Sequence, residues 1–156
     1  MANPRTVRIV RRAVPWLLGW FAVQALLALA GRLTARRKNE GDESSMSIRR
    51  TLTHFGLELH LRNPQLSRVR VDLAMAGADI DLTGLPRPAR GIDVSVNAMM
   101  AGVAIRVPAD WRVWWEFRGL GGVGADGTVE RTRDEHAADV RIHALVLFGG
   151  IGVEGR

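Results

Sequence analysis

The residues best suited to chemistry are four histidines, His54, His60, His136 and His143, and a run of carboxylates, Asp72, Asp79, Asp81 and Asp93. A metal site needs imidazole, thiolate or carboxylate donors converging on one point. His54 and His60 could share a strand face, but neither has an acidic partner at a ligand-like spacing, and His136 and His143 are as isolated. Each aspartate sits between apolar residues at the alternate position of a strand-like run, where solvation accounts for it without general acid–base work. Ser44, Ser45, Ser47, Ser67 and Ser95 lie in no nucleophile-elbow or S-x-x-K setting. The glycine pairs lack the lysine and serine or threonine of a phosphate loop. Without cysteine there is no thiolate nucleophile, thiolate ligand or disulfide. The sequence therefore predicts no catalytic residue, no metal site, no cofactor and no enzyme.

The tryptophans are the more unusual feature. In Trp111-Arg112-Val113-Trp114-Trp115-Glu116-Phe117-Arg118, strict alternation places Trp111, Val113, Trp115 and Phe117 on the core side. Arg112, Trp114, Glu116 and Arg118 fall on the other. An outward tryptophan among arginines suits contact with a protein partner or a lipid interface. Trp114, Arg112 and Arg118 are the candidate contact residues.

These side chains need elements to hold them, and the chain divides into unlike parts. Residues 1–50 carry ten Lys/Arg against three acidic residues, whereas residues 51–156 carry twelve against thirteen. A nucleic-acid-binding domain would carry its positive stripe on the folded part, so nucleic acid is not an expected partner. The excess charge flanks one apolar run, Ala13–Ala30, which has no charge and a single amide, Gln24. As a helix this run would be about 27 Å long, near the hydrocarbon thickness of a bilayer. Pro15 suits a first turn and Trp16 an interface. The reading is a basic tail over 1–12 and a single-pass transmembrane helix over 13–31, anchored in the cell membrane. Both flanks are basic, so the positive-inside rule does not choose which side the remainder faces. Ala28-Leu29-Ala30 also matches a signal-peptidase site. The alternative is thus a secreted or surface binding module released after Ala30, although cleaved signals generally have a shorter apolar core.

Residues 32–47 are polar and aperiodic, as in a flexible juxtamembrane linker. Over 48–156 apolar and polar residues alternate, the signature of half-buried strands. The clearest runs are Arg68–Met75, Ala78–Leu82, Ile92–Val96, Val103–Val107, Trp111–Phe117 and Val140–Phe148. In the last, Leu145–Phe148 is apolar at every position, which predicts a strand covered on both faces. Pro64, Pro86, Pro88 and Pro108 fall between runs.

Glycines punctuate these runs at Gly56, Gly77, Gly102, Gly122 and Gly150, each followed by an alternating segment. A small residue recurring every 20 to 28 positions marks a repeated bend. The predicted fold is mainly β, a β-solenoid or β-roll-like stack of strands, with a two-sheet β-sandwich as the alternative.

The segment Gly102-Val103-Ala104-Ile105-Arg106-Val107-Pro108-Ala109-Asp110-Trp111-Arg112-Val113 and the closing Leu147-Phe148-Gly149-Gly150-Ile151 resemble the LiaF-like, cell-wall-active antibiotic response family of bacterial membrane proteins. The resemblance covers roughly residues 50–156. It implies a membrane-tethered β-domain that senses or regulates envelope stress, in some members by restraining a membrane sensor kinase. The chain departs from the family in having one apolar span rather than several, and only some of its repeats carry a full Phe-Gly-Gly. The resemblance brings no catalytic motif. The expected partners are the lipid bilayer and a membrane sensor kinase or other envelope protein.

Overall fold

The computed structural model describes residues 39–156. The expected basic tail and transmembrane helix lie outside the described residues, as does the first part of the linker. Nine strands follow in order: β1 (Ser47–Leu52), β2 (Phe55–His60), β3 (Arg68–Ala74), β4 (Ala76–Asp81), β5 (Ile92–Met99), β6 (Gly102–Val107), β7 (Arg112–Ala125), β8 (Glu130–Arg131) and β9 (Val140–Gly155). One 3-10 turn, Glu135–Ala137, precedes β9. Among the described residues no helix is long and apolar enough to cross a membrane.

All the strand pairs are parallel. Such pairing cannot be made by tight hairpins, so each coil of chain must travel round and return in the same direction. Here one coil is two short strands joined at a corner: β1 with β2, β3 with β4, β5 with β6. The strands stack in the order β1-β3-β5-β9-β6-β4-β2, with β7 along the far side of β9. β9 is long enough to serve both faces, its first half beside β5 and its second beside β6. The stacked-coil architecture predicted from the glycine spacing is the one observed, as a solenoid-like parallel sheet.

The five repeat glycines stand in one row. Gly56 pairs with Gly77, Gly77 with Gly102, Gly102 with Gly150, and Gly150 with Gly122. Two features depart from the sequence reading. The coils do not stack in chain order, because β9 inserts between β5/β6 and β7 after the excursion of residues 126–139. Nor do the glycines of this row make the bends. A Cβ on Gly56, Gly102 or Gly122 would meet nothing within 4 Å. The corners lie just upstream, at Met75, Met100 and Phe148, which adopt left-handed φ of 52°, 52° and 60°. The amides of Met75 and Met100 still bond across the stack, to the carbonyls of Met99 (2.9 Å) and Leu147 (2.7 Å), so the ladder continues through the corner. Glycine is required instead where coils close in. A Cβ on Gly149 would overlap the Ala101 carbonyl, and one on Gly121, at φ 144°, the Gly149 carbonyl.

Inside the coils, alternation stacks like on like. Ile48, Val69, Val94 and Ile142 form one buried row, and Ile80, Ile105 and Val153 belong to another facing it. Trp111 is 2% exposed and is the largest of the fully buried side chains. Both ends of the stack are covered by arginine, which blunts an edge that would otherwise recruit strands. At the β1 end, Arg50 takes the inward position that Val71 occupies in the next coil and donates to the Glu40 carbonyl at 3.1 Å. At the β7 end, the Arg131 guanidinium lies 4.1 Å over the Trp115 ring. Trp115 therefore keeps the core phase but, in the outermost coil, is only partly buried. Leu145, Leu147 and Phe148 are 50%, 45% and 64% exposed, which corrects the expectation that this stretch is covered on both faces. β9 has neighbours at both edges, but its outer face is bare.

The last residues assigned to the linker attach to the domain. Glu40 and Arg49 form an antiparallel bridge, and the Asn63 side-chain amide donates to the Ser44 carbonyl at 2.6 Å. Hydrogen bonds from the Ser44 and Ser45 hydroxyls and the Ser44 amide hold the Asp42 carboxyl below its ordinary value.

Candidate interaction surface

Val113 is fully buried, so Arg112, Trp114, Glu116 and Arg118 face outward from β7. The register places Trp114 beside Arg141, Glu116 beside His143 and Arg118 beside Leu145 of β9. The Trp114 indole meets the His143 imidazole edge-on, with centroids 5.4 Å apart and planes at 61°. That imidazole is flanked by acid on both sides: Nδ1 is 4.0 Å from Glu116 and Nε2 is 3.8 Å from Glu135. The Arg118 guanidinium pairs with Glu116 at 2.8 Å and is otherwise open to solvent. Arg141 pairs with Asp93 at 2.6 Å.

Arg112 faces a different group. Its backbone amide donates to the Asp139 carboxylate at 2.8 Å, and its guanidinium lies 3.7 Å from the same group. Asp139 is 6% exposed, and its carboxylate also lies 3.6 Å from Arg87. The Asp139 amide donates to the Arg112 carbonyl at 2.8 Å, and the Asp139 carbonyl accepts from Ile92. One buried carboxylate thus ties the start of β7 to the start of β9 and to the loop before β5. Burial of such a charge requires partners, which the two arginines and the amide provide.

The three candidate contact residues do share one face of one strand. Trp114 is half-buried rather than free, and Arg112 leans toward Asp139. The sequence reading set His143 aside as an isolated histidine, gave Glu116 an outward phase but no role, and passed over Glu135 and Asp139. Their outward or buried phases are readable locally, but the contacts depend on β9 lying next to β7, which no local pattern encodes.

The outer face formed by β2, β4, β6 and the second half of β9 carries the glycine row and, beyond it, a charged cluster. Arg106 forks onto Asp79 with nitrogen–oxygen distances of 2.7 and 2.6 Å and reaches Glu154 at 3.5 Å. Burial works against the Arg106 charge, but Asp79, with Glu154 and Asp81, outweighs it and raises the guanidinium above its ordinary value. Burial likewise works to raise the Asp81 carboxyl. The Thr83 hydroxyl and amide, with His60 and Arg106, hold it below the usual range instead. These carboxylates serve ion pairs and turns. His54 lies in the corner between β1 and β2, away from His60 at the end of β2. Among the described residues no three His, Asp or Glu side chains converge as a metal site would require.

No protein-family model, curated protein or solved structure matches this chain.

Proposed function

We propose that this chain is a membrane-anchored, non-enzymatic β-domain protein that senses or regulates the bacterial envelope-stress response to cell-wall antibiotics. The observation that carries the reading is the uncharged run Ala13–Ala30 between arginine clusters, followed after a short polar stretch by stacked parallel coils. The resemblance of residues 102–113 and 147–151 to the LiaF-like family supports the regulatory role. The candidate contact for a sensor kinase or other envelope protein is the outer face of β7, where Trp114 and Arg118 combine an aromatic ring with an exposed guanidinium.

Two measurements on the full chain test this. Carbonate-washed membranes should retain the protein with its N-terminus intact. Recovery in the soluble fraction beginning at Gly31 would instead establish the released binding module. In cells lacking the gene, transcription of a cell-wall-stress reporter should change and be restored by the wild-type chain. A reporter indifferent to the deletion, with and without antibiotic, overturns the regulatory role.

A further inference from the structure

From β3 onward the corner between the paired strands of each coil carries no charged residue, although 24% of the chain is charged. Residues 73–78, 98–105, 119–125 and 144–153 contain no acidic or basic side chain, and the register brings all four stretches together. From this corner project Met75, Met99, Met100, Leu120, Leu147 and Phe148, each between 45% and 64% exposed. Between them lie only open depressions, one edged by Met75, Met100 and Phe148 and one by Met99 and Leu147. A contiguous apolar ridge on a soluble surface marks an interaction site.

The backbone makes the ridge costly. Met75, Met100 and Phe148 occupy left-handed φ, where glycine or asparagine is favoured and bulky residues are rare. Glycine is abundant one or two positions away, at Gly77, Gly102 and Gly149. Large apolar side chains thus stand at strained positions and point into solvent, a combination that folding alone does not select.

The described chain begins beside this corner. Glu40 pairs antiparallel with Arg49, and Asn39 accepts from the Thr51 amide at 2.7 Å. Asn39 thus stands opposite Thr51, two residues from Thr53, where the corner of the first coil starts. Only residues 31–38 separate the apolar run from Asn39, a reach of at most about 29 Å. They include Arg32, Arg36, Arg37 and Lys38, positive charges suited to anionic headgroups.

We infer that the solenoid lies on the bilayer by this corner, with Met75, Met99, Met100, Leu120, Leu147 and Phe148 inserted among the lipids of the leaflet it is tethered to. This rests on the membrane-anchor reading above. An open, uncharged patch of flexible methionines with leucine and phenylalanine, beside a basic tether, suits the disordered headgroup and acyl boundary. Seating the domain in this way would fix its rotation and decide which face is left for a partner.

The absence of cysteine allows a direct test with the full chain in vesicles of phosphatidylethanolamine and phosphatidylglycerol. Single variants Met100→Cys, Phe148→Cys and, as an exposed control in the loop before β5, Ala89→Cys carry an environment-sensitive fluorophore. All three should float with the vesicles. Emission at positions 100 and 148 should shift to the blue and be quenched by acyl-brominated lipid, while position 89 does neither. Flotation with all three labels alike and unquenched overturns the corner contact and leaves the anchor standing. Failure to float overturns both. Blue-shifted labels that brominated lipid leaves unquenched, together with cross-linked pairs of chains, would assign the ridge to a second copy and not to lipid.

Discussion

Trp114 and His143 lie 29 positions apart in the sequence and meet edge to face at 5.4 Å, because β9 returns to lie beside β7. The ring that looked like a free outward aromatic is therefore half of a cross-strand pair. Such a pair contributes roughly 0.5–1.5 kcal/mol beyond the area it covers. Trp114→Ala should lower stability by somewhat more than that amount, since the half-buried indole's own area is lost too, and leave the protein folded, as measured by denaturant unfolding. If the outer face of β7 is the partner contact, the same variant should reach the membrane but fail to co-purify the partner. Full retention of the partner would remove Trp114 from the contact.

Trp111 and Trp115 should differ although both hold core phase. Trp111 is almost wholly enclosed, and Trp111→Ala should cost roughly 3–5 kcal/mol. Trp115 lies toward the end of the stack, only partly buried and with Arg131 stacked on it, so Trp115→Ala should cost clearly less. Equal losses in unfolding free energy would mean that residues 126–139 cover that end of the stack more tightly than the Arg131 contact indicates.

The glycines divide into two classes that thermal melts will separate. At Gly102 an added side chain meets open space, and Gly102→Thr should be neutral or stabilising by up to about 1 kcal/mol, since a β-branched residue suits an exposed strand. At Gly149 the added atom meets the Ala101 carbonyl, so Gly149→Ala should destabilise by more than the roughly 1 kcal/mol typical of point substitutions. The corner should show the reverse sign. Phe148→Asn places a residue tolerant of left-handed φ where phenylalanine is strained, and stability should hold or rise by up to about 1 kcal/mol.

Acid should loosen the C-terminal end of β9. The Asp126 carboxylate accepts from the Thr128 hydroxyl at 2.6 Å and from the Gly155 amide at 3.2 Å. The Thr128 hydroxyl foremost, against some burial and together with the Gly155 amide, holds this carboxyl below its ordinary 3.8. A group depressed in the folded state stabilises above its unfolded value, and that contribution is lost as pH falls through the folded value. Asp42 and Asp81 are displaced in the same direction. Stability should therefore be flat with respect to these groups above about pH 4–5 and fall progressively below 3.8, with Asp126→Asn reducing the steepness of the fall. An unchanged slope in a pH series of melts would show that the turn does not hold the terminus.

The sequence by itself determined the mainly β content, the inward and outward phase of β3 to β6, the first half of β7 and the start of β9, and the recurrence of the glycines. These follow from the two-residue period of a strand and from the need of each coil to bury one face, both of which are local. It also determined that Trp111 is interior and that Arg112, Trp114 and Arg118 share a side. Tertiary structure alone decided the stacking order. Parallel coils with alternating apolar faces fit one another almost interchangeably, so placing β9 between β6 and β7 depends on long-range closure and not on any local signal. From that insertion came the Trp114–His143 pair, the burial of Asp139 against Arg112, and the exposure of Leu145, Leu147 and Phe148. The corners were hidden for a related reason: left-handed backbone is read from glycine and asparagine, and here methionine and phenylalanine hold it, over-determined by the coils stacked on either side.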